Sequence, residues 1–139
     1  MCVNQIKSTI FAAYNTYLLL MEQTKTLLET IIKGIQEKKG SQIVVADLTG
    51  IDGVICRHFI ICQGNSPTQV DAIADSITDI VRKEMHEKPI RVIGRENAMW
   101  IAMDYGDALV HIFLPDVRQY YDLEHLWEDA HLNRLPDLD

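Results

Sequence analysis

The sequence predicts an α+β fold, a mixed β-sheet of about five strands with packed helices. Two observations carry this. The apolar periodicities run helix, strand, strand, helix, strand, strand, strand, helix, which is neither a regular βα alternation nor an all-β pattern. The 139 residues suffice for one hydrophobic core and are too few for two domains of ordinary size, and no linker, repeat or low-complexity stretch divides them.

The first helix is expected from Thr26 to Lys39. Leu28, Ile31, Ile32 and Ile35 form one apolar stripe, Thr26-x-x-Glu29 is a capping box, and Lys38, Lys39 and Gly40 suit a helix end. Ile43–Leu48 is a β-branched strand, Thr49 to Gly53 a turn-rich connection, and Ile55–Cys62 a second strand apolar enough to be central. Ser66 caps the next helix, Pro67 takes its first position and Gln69 closes a capping box. Val70, Ile73, Ala74, Ile77, Val81 and Met85 form its buried stripe, Asp79 pairs with Lys83 on the outside, His86 complements its end, and Pro89 ends the segment.

Three strands follow: Ile90–Ile93, Met99–Asp104 and Ala108–Phe113. The last two are joined by the turn Asp104-Tyr105-Gly106-Asp107, where Gly106 is free to take positive φ. Beyond Pro115, Asp116–Trp127 reads as one or two short helical pieces leading to an acidic tail over 131–139. The amino terminus stands apart. Ile10–Met21 is mostly apolar but shorter than the ~20 residues a membrane span needs, and it makes a poor signal peptide. Residues 1–20 are therefore expected to be an N-terminal extension, with a native segment, an upstream piece of the reading frame and a disordered stretch all left open.

The formal charge is −7, from 13 Lys plus Arg against 20 Asp plus Glu. Residues 96–139 hold 2 basic and 10 acidic side chains, so about −8 sits on the last third. Such a chain is a poor phosphate binder, and little direct nucleic-acid contact is expected. Cys2, Cys56 and Cys62 form no C-x-x-C pair, which fits reduced thiols in the cytoplasm. The five histidines show no metal-ligand spacing, and no metal or cofactor is expected. Asp104, Asp107 and His111 could form an acid–base cluster, but aspartates at a tight turn usually cap the backbone. Gly64-Asn65-Ser66 could cradle a phosphate, yet a turn and a helix cap already account for all three.

The hairpin is more informative. Alternation sets Met99, Ile101 and Met103 on one side and Trp100, Ala102 and Asp104 on the other. If Asp104 faces Asp107, then Trp100 lies beside His111 and Ala102 beside Leu109; a bulge at Gly106 would shift this by one. Both sides carry large apolar residues. One packs on helices; the other, with Trp100, Leu109 and Phe113, is either a second core layer or a surface for a partner.

Gly64-Asn65-Ser66, the run Trp100-Ile101-Ala102-Met103-Asp104-Tyr105-Gly106-Asp107, Val110-His111-Ile112-Phe113, and Arg118-Gln119-Tyr120-Tyr121-Asp122-Leu123-Glu124-His125-Leu126-Trp127 together resemble the ribosomal silencing factor (Iojap-like) family. The resemblance spans about residues 21–130. It implies a fold similar to nucleotidyltransferases without their activity. It also implies a translation repressor that binds ribosomal protein fourteen of the large subunit and blocks joining of the small subunit when nutrients are scarce. Trp100 is the implied contact, with Asp104 and the strand neighbours Ala102, Leu109 and His111 beside it. A homodimer stays open, and no membrane partner is implied.

The alternative is a nucleotidyltransferase-type enzyme on the same fold. That chemistry needs a Gly-Ser loop and a D-x-D strand to hold metal ions. Asn65 separates Gly64 from Ser66, and Ile90–Ile93 has no acid. No catalytic residue is expected.

Overall fold

The structure, a computed structural model, describes residues 2–48, 57–126 and 131–137. The turn expected at Thr49–Gly53, the strand start at Ile55 and Trp127 lie outside these residues. Helix α1 spans Cys2–Glu37, far longer than the helix expected from Thr26. No Gly or Pro occurs before Gly34, so nothing upstream breaks the helix. Thr26 is not a cap: its hydroxyl donates to the Glu22 carbonyl at 2.9 Å, one turn back inside the helix. The end does match. Lys39 takes positive φ, and the amides of Lys39 and Gly40 donate back to the Gln36 and Ile35 carbonyls at 3.0 Å each.

Strands β1 (Ser41–Asp47) and β2 (His58–Gln63) precede α2 (Pro67–Met85). The cap of α2 is as expected, since Ser66 Oγ accepts from the Gln69 amide at 3.1 Å. Gln69 Oε1 in turn accepts from the Asn65 amide, and its Nε2 donates to the Lys38 and Lys39 carbonyls, tying the start of α2 to the end of α1. His86 closes the helix in the left-handed conformation. Asp79 pairs with Arg82 instead of the expected Lys83. Strands β3 (Arg91–Ile93), β4 (Trp100–Asp104) and β5 (Ala108–Phe113) follow, then the short helices α3 (Pro115–Tyr121) and α4 (Leu123–Leu126), and β6 (His131–Arg134).

The sheet therefore has six strands in the order β3-β4-β5-β2-β1-β6. β2 and β5 pair in parallel and every other pair is antiparallel. β6 falls in the stretch expected as an acidic tail; it pairs with β1 from Val44↔Arg134 to Asp47↔His131. Helices α1 and α2 cover one face. They bury Leu27, Ile31, Ile35, Ile73 and Ile77 against Ile60, Ile101, Met103, Val110 and Ile112. The helices cross closely at Gly34, where a Cβ would sit 3.0 Å from Ile77 Cα, and Ser76 Oγ donates to the Gly34 carbonyl at 2.7 Å. Cys62 lies in this core, where burial pushes its thiol up to about 12 and leaves it unreactive.

Candidate functional site

Alternation along β4 sends Ile101 and Met103 into the helix-covered core and Trp100, Ala102 and Asp104 to the opposite face. Met99 departs from the expectation that it joins Ile101 and Met103. It precedes the strand and is exposed. The hairpin register is Trp100↔Phe113, Ala102↔His111 and Asp104↔Leu109. It differs by two residues from the simplest pairing, because the Tyr105 amide bonds the Ala108 carbonyl at 2.9 Å and the two-residue turn sits one position further along, at Gly106-Asp107. A two-residue shift keeps every side chain on its face. All five expected residues, Trp100, Ala102, Asp104, Leu109 and His111, thus share one face.

That face is only half covered. Helices α3 and α4 lie over the end near Phe113, and Arg118 anchors them. Its buried guanidinium donates to Glu124 Oε1 at 2.8 Å, to the Gln42 carbonyl at 2.7 Å and to Gln63 Oε1 at 3.3 Å. Arg134 of β6 reaches the other Glu124 oxygen at 3.2 Å. Ile61, Val44 and Phe113 are buried on this side. Ala102, Asp104, Leu109 and Phe59 remain partly exposed.

Trp100 stands at the boundary, itself partly exposed. Its ring stacks on Phe113 at 5.0 Å between centroids and meets Tyr121 at 4.7 Å. Its indole N–H donates to His111 Nδ1 at 3.0 Å. His111 is buried, and burial pushes its pKa down to about 4, so the ring is neutral at physiological pH. Because Nδ1 accepts the indole proton, the ring's own hydrogen sits on Nε2. His111 therefore lies beneath the surface and holds Trp100, and is not itself exposed to a partner.

The connection before Trp100 is equally constrained. Gly94 has φ +94°, and a Cβ there would run into the carbonyl oxygen of Trp100. The Ala98 amide closes the turn on the Gly94 carbonyl at 3.0 Å. Arg95 clamps the turn to α2 through Asp71, at 3.0 Å, and Asp75. Beside Trp100 lies an open cleft of about 720 Å³, with Ile93, Met99, Val117 and Tyr121 on its apolar side and Arg91, Arg95 and Glu96 on its charged side. Tyr121, Met99 and Ile93 were not expected at the site. Tyr121 lies within the carboxy-terminal motif, so a signal for it was present; Met99 and Ile93 had none.

The residues weighed for catalysis and phosphate binding are engaged within the fold. Asp104 Oδ1 accepts from the Gly106 amide at 2.8 Å, and Asp107 Oδ2 accepts from Thr24 Oγ1 at 3.4 Å, so both aspartates serve the turn and its contact with α1. The Gly64 amide donates to the Phe113 carbonyl at 2.9 Å, and Asn65 and Ser66 are engaged in the α2 cap. Among the described residues, no group of three or more His, Cys, Asp or Glu is placed to hold a metal ion, and no helix is long and apolar enough to cross a membrane.

The sequence profile of the family described as "Ribosomal silencing factor during starvation" matches residues 21–139. The chain belongs to this family. A ribosomal silencing factor of Bacillus subtilis is 39% identical over 118 residues, covering 83% of this chain and 93% of that protein. One from Halalkalibacterium halodurans is 40% identical over 104 residues, covering 75% and 87%. A crystal structure of a Chromobacterium violaceum protein superposes with a TM-score of 0.70 at 30% identity, covering 74% of this chain and 84% of that one. Chloroplastic Iojap of Zea mays is a shorter match, 39% identical over 80 residues and covering 34% of that protein. Membership in the silencing factor family assigns the chain to translation regulation during starvation, a regulatory role with the ribosome as partner. The family match extends past the expected boundary at residue 130 and takes in β6.

Proposed function

We propose that the half-covered sheet face around Trp100 docks on ribosomal protein fourteen of the large subunit and sterically prevents the small subunit from joining. The observation that carries this is the state of Trp100. A large aromatic side chain is held in a fixed orientation by Phe113, Tyr121 and His111, yet is left partly open to solvent beside Ala102, Asp104 and Leu109. An aromatic anchor ringed by small and apolar neighbours, with Asp104 and Arg91 opposite each other at the rim, suits a protein partner that offers an apolar patch bordered by charge. The cleft of about 720 Å³ alongside would accept an apolar side chain from that partner.

Charge favours protein over RNA as the docking surface. The last third of the sequence, which supplies β4 and β5, carries about −8 as a whole, while on the open face Asp104 stands opposite Arg91 of β3. rRNA phosphate repels such a surface, whereas a basic ribosomal protein attracts it. Blockade requires occupancy alone, so the reading includes no catalytic step, and we place its action on cytoplasmic ribosomes.

Co-sedimentation with separated ribosomal subunits tests the reading. The protein is expected to travel with the large subunit and not the small one, and to reduce joined ribosomes when both are mixed. Binding to the small subunit alone, or normal joining with the large subunit saturated, would overturn it.

A further inference from the structure

Every residue of α1 from Thr9 to Leu19 is exposed, whereas from Thr24 onward the helix turns a buried side to the domain. Ile10, Phe11, Tyr14, Tyr17 and Leu18 form one stripe, ~120° wide at ideal helical spacing. These side chains are each between 41% and 66% exposed. Outside the stripe, Thr16 returns its hydroxyl to the Ala12 carbonyl at 3.0 Å. A contiguous apolar stripe of this kind on a helix in water marks an interaction surface. It precedes residues 21–139, which the family profile matches.

We propose that a second copy of this chain covers the stripe, packed antiparallel across a twofold axis at Tyr14. The spacing supports a self-complementary pair. Ile10 and Leu18 lie four residues to either side of Tyr14, and Phe11 and Tyr17 lie three. A twofold axis there sets Ile10 on the partner copy's Leu18 and Phe11 on its Tyr17, apolar against apolar at each level. Charge points the same way. No charged side chain occurs from Ser8 to Met21, so two copies meet without repulsion. The same stretch lacks the row of lysines and arginines that would draw the helix onto an anionic membrane. The area is sufficient. Five half-exposed side chains offer on the order of 500 Å² per copy, and a pair would bury ~1,000 Å², the lower edge of specific interfaces.

Light scattering on the full chain across ~1–100 μM tests the pairing. The mass is expected to rise from 15.9 kDa toward twice that value. Tyr14→Glu places two carboxylates at the axis and should weaken association at least ~10-fold. Leu19→Glu, on the opposite side of the helix, should leave it unchanged. Thermal melts of both variants at the lowest concentration should match the wild type, because Tyr14 and Leu19 are both exposed. A monomer at every concentration overturns the proposal, as does equal damage from the two substitutions. Binding of a monomeric protein to phosphatidylcholine–phosphatidylglycerol vesicles would assign the stripe to lipid instead.

Discussion

On one face of the sheet, α1 and α2 exclude water almost completely from Ile60, Ile101, Met103, Val110 and Ile112. On the other, Phe113, Ile61 and Val44 are buried toward the end that Arg118 of α3 anchors, while Ala102, Asp104, Leu109 and Phe59 are partly open. The same strands, chiefly β2, β4 and β5, build both faces. The first face is closed by two long helices and supplies most of the stability. The second is closed by two short ones, pinned through a single buried arginine, and what they leave open is available for recognition.

Substitutions on either side can break or sharpen that contrast. The largest effect on folding is expected from Ile77→Ala, which opens a cavity where α2 meets α1. It should lower stability by ~2–5 kcal/mol in denaturant titrations while the folded fraction still co-sediments with the large subunit. Trp100→Ala should do the reverse. Docking should weaken by ~2–4 kcal/mol, roughly 30- to 1000-fold, with a smaller loss of stability than Ile77→Ala. If Trp100→Ala unfolds the protein as readily as Ile77→Ala, the second face is a core layer; if it stays folded and docks normally, the face is not the docking site.

Acid should act through the boundary between the covered and open halves. His111 has its pKa held down to about 4 by burial, whereas the unfolded chain keeps the ordinary value near 6.5. The unfolded state therefore binds the extra proton first as pH falls. The stability that His111 contributes is complete above about 6.5 and drains away between there and about 4, by up to roughly 3 kcal/mol. Melting temperatures at pH 7 and pH 4.5 should differ more for the wild type than for His111→Phe. The smallest effect is expected from Asp104→Arg. It should cost docking ~1 kcal/mol at low salt and less at high salt, since it reverses an attraction that ions screen. An Asp104→Arg variant whose docking is unchanged at low salt would remove charge from the account of the open half.

Legibility in the sequence followed the range of the interactions. The cap of α2 was readable because Ser66, Pro67 and Gln69 act on one another within one turn. The start of α1 was misread because Thr26-x-x-Glu29 carries a local capping signature inside a helix that nothing upstream interrupts. Strand β6 went unseen, since His-Leu-Asn-Arg has no apolar alternation and is a strand only because β1 offers it an edge. The site was legible to the level of a face. Alternation grouped Trp100, Ala102 and Asp104 with Leu109 and His111, and the two-residue change of register preserved the grouping. Alternation could not say that His111 lies beneath Trp100, or that Tyr121 folds over from α3. Those placements depend on where Arg118 pins the short helices, a contact spanning 76 residues to Gln42.

Gly94 has a consequence for the rate of docking. The atom that a side chain at position 94 would strike is the Trp100 carbonyl oxygen, so the main chain itself sets the height at which the indole stands. With its ring packed between Phe113 and Tyr121 and its N–H bound by His111, Trp100 has little rotational freedom left to surrender on contact. Encounter then selects a shape that already exists, which favours fast association and leaves residence time to be set by the neighbours. If that face docks as proposed, Gly94 governs how often a collision succeeds, and Gly94→Ala would register as slower arrival more than as faster departure.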